Sequence, residues 1–563
     1  MRLIAATALV LSCVAQAAFG QLPATRLDSL YPAGAKIGQT VEVVITGNDL
    51  DEVVELQFSH PGITAKPKMA EATKFDKELQ PIPNEFVVTV AGNVPVGSYD
   101  VRVRGKYGLS NPRVFDLSNL DEIKETEPNN ELALASEIVL PQIVNGQING
   151  TTDVDVFRFT AKAGQRILFD CRARRIDSLL NPALSIYNAQ GRELMNNRSA
   201  HAREAMIDFQ VPAAGEYYVK IFDAFFRGNA NYVYRLAIGP LPHIDYIFPP
   251  AGPAGSNNQY TIFGRNLPGG KPSEFTIGGK RLDQLTVTVA LPSDPASVQP
   301  ISGRVEPEQA FLDAVAFRVA GSPMPSNPVF VGIATAPVVL EAADNDTPQQ
   351  AQQLSPPCEV AGRFYPIRDH DWYTFEAKQD DTYTIEVFSH RLGLPTDPHL
   401  IIQEVTKNDE GEEQVKVLNI PDTTVPPDRA QFDTRTSDVS YKFVAAVDAT
   451  YRLTIREGYS ALRSDPRLVY RLAIRKEQPD FRLVAVPCDP WGALVLRKGD
   501  RTTIDVLAER RDGLNEPITL TVTGLPAGVT SAPVTLDRKS TRLNSSHDQI
   551  SYAGVCLKKK TNT

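Results

Sequence analysis

The hexapeptide VYRLAI stands at Val233–Ile238 and again, unchanged, at Val469–Ile474. Working outward from it, the whole stretch before each copy proves to be duplicated. LDSLYPAGAKIGQTVEVVITGNDL from Leu27 matches IDYIFPPAGPAGSNNQYTIFGRNL from Ile244, and the tripeptide SNP recurs at Ser110–Pro112 and Ser326–Pro328. ETEPNNELALA from Glu125 matches EAADNDTPQQA from Glu341, and DVDVFRFTAK from Asp153 matches DHDWYTFEAK from Asp369. The copies are offset by 216 or 217 positions at each landmark except VYRLAI, where the offset is 236. The second copy therefore carries an insertion, assigned to the acidic, loop-like TKNDEGEEQVK and its surroundings. Fixed-period self-similarity sets the architecture before any finer reading, here as A–B–A′–B′ followed by a third kind of β segment from Asp480.

Within each unit, short alternating runs such as VEVVITG, EFVVTV, YDVRVRG and TIEVF lie between Pro, Gly, Asn and Asp clusters. Long helical periodicity is nearly absent. This is the pattern of antiparallel sandwiches made of short strands, so the expected fold class is all-β, a tandem array of sandwiches. At 563 residues the chain is too long for one core. The expected units are 22–119 (A), 125–239 (B), 241–337 (A′), 340–476 (B′) and 480–536, an incomplete immunoglobulin-like segment.

Both ends stand apart from this body. MRLIAATALVLSCVAQAAFGQ carries Arg2, an apolar run from Leu3 to Val14, and Ala15 and Ala17 at signal-peptidase spacing. It reads as a secretory signal over 1–20, with lipidation at Cys13 the weaker alternative. No other segment approaches the roughly 20 apolar residues of a spanning helix. At the other end, DRKSTRLNSSH can be back-translated codon for codon into a stretch that resembles a widely used sequencing-library adapter. Residues 537–563 are accordingly expected to be an artefact and disordered, leaving the last sandwich incomplete. The formal net charge is −9, and both ends are basic, so the body is more acidic still. That balance argues against nucleic acid and is compatible with cations. Cys171, Cys358 and Cys488 are odd in number and far apart, which reads as buried thiols, not a disulfide framework.

The repeated phrases resemble known modules. The opening φ-x-x-φ-x-P-x-x-G-x-x-G phrase and the strand ending in G-x-x-L make A and A′ similar to IPT/TIG-type immunoglobulin-like domains; A′ keeps Pro249, Gly252, Gly264 and Leu267. E-P-N-N at Glu127–Asn130, D-x-D-x-F-x-F at Asp153–Phe159, the AGQ of Ala163–Gln165 and the closing Y-R-L at Tyr234–Leu236 make B and B′ resemble the bacterial pre-peptidase C-terminal domain, a jelly-roll-like sandwich.

The best candidate site is the acidic constellation repeated in B and B′. Period two places Asp153, Asp155, Phe157 and Phe159 on one strand face, with the aspartates near the rim. The linker Glu125-Thr-Glu127-Pro128-Asn129-Asn130 enters the same domain and can bring two carboxylates and two amide oxygens to that pair. Calcium takes six to eight hard oxygen ligands in a loose shell. The resemblance implies the same ion, since collagen-binding relatives hold calcium through an E-x-E-x-N-[DN] linker and aspartates after the next turn. Glu125, Glu127, Asn129, Asn130, Asp153 and Asp155 match that layout. In B′ Ala343 replaces the second glutamate, while Glu341, Asn345, Asp346, Asp369 and Asp371 remain and Asp344 is new. The bland alternative is that these residues only cap turns. The expectation is a calcium ion that rigidifies each A–B junction, with B the better site.

Other features read less functionally. His370 lies between two aspartates but points to the opposite strand face, which argues against a shared metal. Phe222, Phe225, Phe226, Tyr232 and Tyr234 are read as core or edge packing, with a platform for polymer chains as the alternative. There is no H-E-x-x-H and no G-x-S-x-G among residues before Asp537. The expected function is a non-catalytic exported protein, periplasmic, extracellular or surface-held, whose modules space, adhere or bind an extracellular polymer, protein or polysaccharide. The alternative is the accessory part of a larger secreted hydrolase, most plausibly a peptidase.

Overall fold

The structure is a computed structural model describing residues 23–71, 79–198, 204–298, 306–321, 324–418, 432–487, 494–496, 499 and 501–537, with the backbone of 550–559. Among these residues the regular structure is β-strands and six three-residue 3-10 turns, and the strands form tandem sandwiches. In A, Arg26–Tyr31, Thr40–Asn48, Pro81–Val90 and Ile63–Met69 make one sheet and Gly34–Lys36, Arg113–Ser118, Gly97–Gly105 and Glu55–Phe58 the other. In B the two five-stranded sheets run Asp121–Lys124, Gln142–Gln147, Val233–Gly239, Arg166–Arg172, Ala205–Gln210 and Ser136–Glu137, Asp155–Ala161, Gly215–Asp223, Pro182–Asn188, Glu193–Asn197. B′ repeats both strand orders. A core lies between the sheets of each unit, led in B by Phe157, Phe159, Phe169 and Leu236 and in B′ by Phe375, Tyr451, Phe443 and Leu472. Among the described residues no helix is long and apolar enough to cross a membrane.

The duplicated phrases have physical reasons. In SNP, the Asn111 side chain accepts from Leu27 N (3.0 Å) and donates to Leu27 O (2.8 Å), tying the first strand to the far end of the unit. Asn327 makes the same pair of bonds with Ile244 at 2.8 and 2.9 Å. Ser110 accepts from the strand amide Val103 N and Ser326 from Val319 N, just past the strand Ala314–Phe317. VYRLAI is the core of a central strand buried on both faces, Val233–Gly239 in B and Val469–Arg475 in B′. Its Tyr faces the acidic rim and its Arg faces the preceding module, so neither position tolerates drift.

Two expectations need correction. TKNDEGEEQVK is not a loop: Pro398–Lys407 pairs antiparallel with Glu413–Leu418, so all but the turn is strand. Asn408 Oδ1 accepts from Glu410 N and Glu412 N, and Asn188 Oδ1 closes the shorter hairpin of B in the same way with Gln190 N and Arg192 N. The asparagine turn overrides the charge pattern, and part of the insertion is a longer hairpin. Nor is the whole of 537–563 without order, because Ile550–Lys559 pairs antiparallel with Arg501–Arg511. Arg501–Arg511 would otherwise leave one edge unpaired, and an open edge accepts an alternating segment such as ISYAGVCLKK. The remaining positions of that tail, 538–549 and 560–563, lie outside the described residues. Cys171 and Cys358 are free and buried; Cys488 is outside the described residues.

Successive modules are joined by apolar contacts and buried arginines. Ala33 of A packs with Ile176 and Val233 of B, and Tyr246, Phe263 and Phe275 of A′ with Val469 of B′. Arg235 is 1% exposed and grips Glu122 with two bonds of 2.8 Å, a third reaching Asn145 Oδ1. Its guanidinium also lies 3.5 Å from Asp116 of A. A Cβ on Gly34 would stand 2.4 Å from Arg235 Nη1, which is why the opening phrase needs glycine there. In B′, Arg471 holds Glu359 in the same position.

At the next junction, half-buried Glu386 accepts from Arg391 Nη1 (2.8 Å) and Arg475 Nη2 (3.3 Å), and Arg475 also pairs with Asp512 of the last segment. Burial raises the Glu386 carboxyl, but Arg391, Arg475 and Arg511 outweigh it and hold the group down at about 2. A carboxylate lowered by folding stabilises above its unfolded value near 4.5 and loses that contribution as pH falls towards 2. Chemical denaturation at pH 6 and pH 3 should show a loss of about 2 kcal/mol from this group, and Glu386→Gln should flatten the acid limb.

Candidate acidic site at the rim of each B module

The parallel pairing of Asp121–Lys124 with Gln142–Gln147 carries the linker to the sandwich rim. There Glu125 Oε1 accepts from Gln147 N (2.8 Å), and its Oε2 lies 3.3 Å from the Tyr234 hydroxyl. Tyr31 of A donates to Glu125 Oε1 at 3.3 Å, so the first module contributes directly to the site. Tyr234 donates at 2.6 Å to Asp155 Oδ2. A Cβ on Gly146 would lie 2.1 Å from the Tyr234 hydroxyl and 2.5 Å from Glu125 Oε2, so this cradle needs a glycine. Glu127 turns back to accept from Asn129 N (2.9 Å). Asp153, in the turn before the strand Asp155–Ala161, accepts from Asn149 N. Side-chain oxygens of Glu127, Asp153 and Asp155 come within 4.8 Å of one another.

Three buried polar atoms at this rim have no partner: Asp155 Oδ1, Asn129 Oδ1 and Asn129 Nδ2. Buried polar atoms are almost always satisfied, and among the described residues no side chain or backbone group supplies a partner to these three. Asn130, with its amide nitrogen turned inward, donates to Val154 O (2.8 Å) and Asp153 Oδ1 (3.1 Å) and braces the turn. Burial and the neighbouring carboxylates push Glu125 up to about 10 and Asp155 up to about 7, and burial raises Glu127. Left alone, the cluster holds a proton near neutral pH.

B′ repeats the frame with different electrostatics. Tyr470 donates to Asp371 Oδ2 (2.6 Å) and faces Glu341 Oε2 at 3.4 Å; a Cβ on Gly362 would meet both Tyr470 and Glu341. Asp346 and Asp369 form a close pair, with Asp369 raised by burial to about 6. Glu341 is raised by burial to about 7, opposed first by the bond from Arg363 N (2.8 Å) and then by the Arg363 guanidinium, and burial raises Asp371 well above its ordinary value. The Asn345 amide, turned inward, donates to Asp371 Oδ1 at 3.2 Å, where its counterpart Asn129 bonds to nothing. Phe248 replaces Tyr31, with Arg363 stacked 4.0 Å above its ring. Asp344 is exposed, and His370 is half-buried between buried Asp369 and Asp371. Among the described residues only B brings three acidic side chains within metal-holding distance.

Sequence reasoning missed Tyr234, Tyr470, Gly146, Gly362 and Tyr31. The signal was present in the repeated V-x-G of Val144–Gly146 and Val360–Gly362 and in the invariant Tyr of VYRLAI. Of the five aromatics considered for polymer binding, Tyr232 and Tyr234 are buried, while Phe225 and Phe226 are exposed.

No family model matches the chain. It is 34% identical over 106 residues to a probable subtilase-type serine protease of Deinococcus radiodurans; the match covers 18% of this chain and 15% of the protease's length. Among solved structures, the pre-peptidase C-terminal domain of a Bacillus anthracis collagenase aligns at 16% identity over 20% of this chain and 99% of that domain, with a TM-score of 0.16. SGBP-B of a Bacteroides ovatus mixed-linkage glucan utilization locus, in complex with a mixed-linkage heptasaccharide, aligns at 9% identity over 79% of this chain and 73% of its own, with a TM-score of 0.14.

Proposed function

We propose that the chain is a non-catalytic, exported array of β-sandwich modules that spaces or adheres to an extracellular polymer, and that calcium at the rim of B stiffens the A–B junction. The observation that carries the calcium reading is the convergence of Glu127, Asp153 and Asp155 beside the unpartnered oxygens of Asp155 and Asn129. The donors are all hard oxygens. Two oxygens on opposite sides of an ion bound at about 2.4 Å stand about 4.8 Å apart, and these side-chain oxygens lie within that distance of one another. Glu125 would complete the shell and, through Tyr31, link the ion to module A. B′ is the weaker site, because Arg363 faces Glu341 and Asn345 already satisfies Asp371. Thermal melting in calcium and then in chelator tests this: the transition should rise with calcium and fall on chelation, and identical transitions would refute it.

The second reading, an accessory region of a larger secreted peptidase, is favoured by the short match to the probable subtilase-type protease. Sequencing the source gene through 537–563 decides between them, since a downstream catalytic domain is required only by the second.

A further inference from the structure

The turn that follows the strand Gly215–Asp223 in B is built to present its side chains to solvent. Phe225 is 46% and Phe226 64% exposed, although the turn beneath them is fully anchored. Asp223, 1% exposed, accepts from Asn181 N with one oxygen and from Phe225 N and Arg227 N with the other. Phe226 adopts a left-handed φ of 55°, an uncommon conformation for a bulky residue. Gly228 packs against Gly150 of the acidic rim so closely that a Cβ would lie 2.4 Å from its carbonyl oxygen. Phe226 stacks on Phe222 at 5.8 Å, and the Arg227 guanidinium lies 5.0 Å over Phe225.

The same device stands at the matching place in B′, with almost none of the same residues. Glu457, fully buried, accepts from Tyr459 N. Tyr459 is 50% and Leu462 82% exposed. Arg463 lies over Tyr459 at 5.0 Å, the separation found in B, and Ser460 O accepts from Arg368 N of the second acidic rim. Exposed apolar side chains on an immobilised turn are costly to leave in water and inexpensive to bind with, because little rotamer or loop freedom remains to be lost. Their retention in two diverged copies, each under an arginine, points to contact with something that repeats.

The surroundings indicate its charge. Arg198 and Lys220 each approach Phe222 at 5.8 Å, and Arg368, Arg456 and Arg463 flank the second turn. Arg198 pairs with Glu193 and Arg463 with Glu457, whereas Lys220, Arg227, Arg368 and Arg456 form no ion pair among the described residues, in a chain whose net charge is −9. We propose that the turns Phe225–Arg227 and Tyr459–Arg463 are two contact fingers for one acidic polysaccharide, the aromatic rings stacking on pyranose faces and the arginines meeting its carboxylates. The inference rests on the polymer-binding reading above and gives it a site and a ligand class.

The test passes the full chain, with calcium present to compensate the acidic rims, over immobilised polygalacturonate, over cellulose, and over phosphatidylserine vesicles. The expected result is retention on polygalacturonate alone, weakening as salt rises. Phe225→Ala with Tyr459→Ala, and separately Arg227→Glu with Arg456→Glu, should each weaken retention about tenfold or more, with the melting transition of the charge-reversed form unchanged, because Arg463 is left on Glu457. Retention of both variants at full strength would overturn the finger assignment while leaving polymer binding intact. Wild-type retention on neither polymer would overturn both. Retention on vesicles or on cellulose alone would overturn the acidic-polysaccharide assignment.

Discussion

Replacing Arg235 by alanine is expected to cost about 3–5 kcal/mol of stability, the largest effect of any single substitution outside the apolar cores. The side chain is fully buried in the central strand of B, and its fork satisfies Glu122 bidentately and Asn145 through a third bond. Alanine would strand Glu122 without its cation and leave Asp116 to Arg172 alone, and that loss exceeds the packing lost with the side chain. Lysine should rescue only part, because a point charge cannot reproduce the two parallel bonds. The change should also loosen the junction, since Arg235 lies against Gly34 and Asp116 of A. Denaturant unfolding measures the loss, and limited proteolysis near Leu120 reads the junction. A change below about 1 kcal/mol would place this arginine among ordinary surface pairs.

The second large effect is that expected of the proposed calcium, and its size depends on pH. Asp155 is raised by burial from its ordinary 3.8 to about 7. A carboxyl raised by folding stabilises fully below its unfolded value and loses that contribution as pH rises through its folded value. In chelator the stability of B should therefore decline from about pH 4 to pH 7, by an amount on the order of 3 kcal/mol from Asp155, and go on declining above pH 7 because Glu125 is raised further, to about 10. Calcium selects the ionised form, so it should oppose this decline and bind more tightly at pH 8 than at pH 5. At a hundredfold excess over Kd the gain is about 2.7 kcal/mol. Melting curves across that range, with and without calcium, should diverge as pH rises. Parallel curves would contradict the linkage.

Much of the fold was legible because it is duplicated. The landmarks that defined the repeat turn out to be the ones with long-range duties: the Asn of SNP bridges 84 positions to Leu27, and the Arg of VYRLAI reaches across a module boundary. The acidic linker and the aspartate pair were also legible, since their residue types and order suffice to suggest convergence. What period two cannot reveal is a strand buried on both faces. In Val233–Gly239 every residue is buried, so Arg235 looks outward in the pattern although it is inward in space. Tyr234 was hidden for the same reason, its partner Asp155 being 79 positions away. Charge misled over TKNDEGEEQVK, where an asparagine turn and strand pairing dominate. The exposed turns were obscured because their aromatics lie beside buried ones in the sequence, and only burial separates Phe226 from Tyr232.

The calcium assignment at the rim of B is tested most directly by the number of calcium ions bound at equilibrium, measured by dialysis for the wild-type chain and for Asp153→Asn. Asp153 is part-exposed and outside the core, so the variant should keep its fold. The structure leads us to expect calcium bound by the wild type and one ion fewer in the variant. No calcium on the wild type, or the same number on both, would contradict the assignment of Glu127, Asp153 and Asp155 as its ligands.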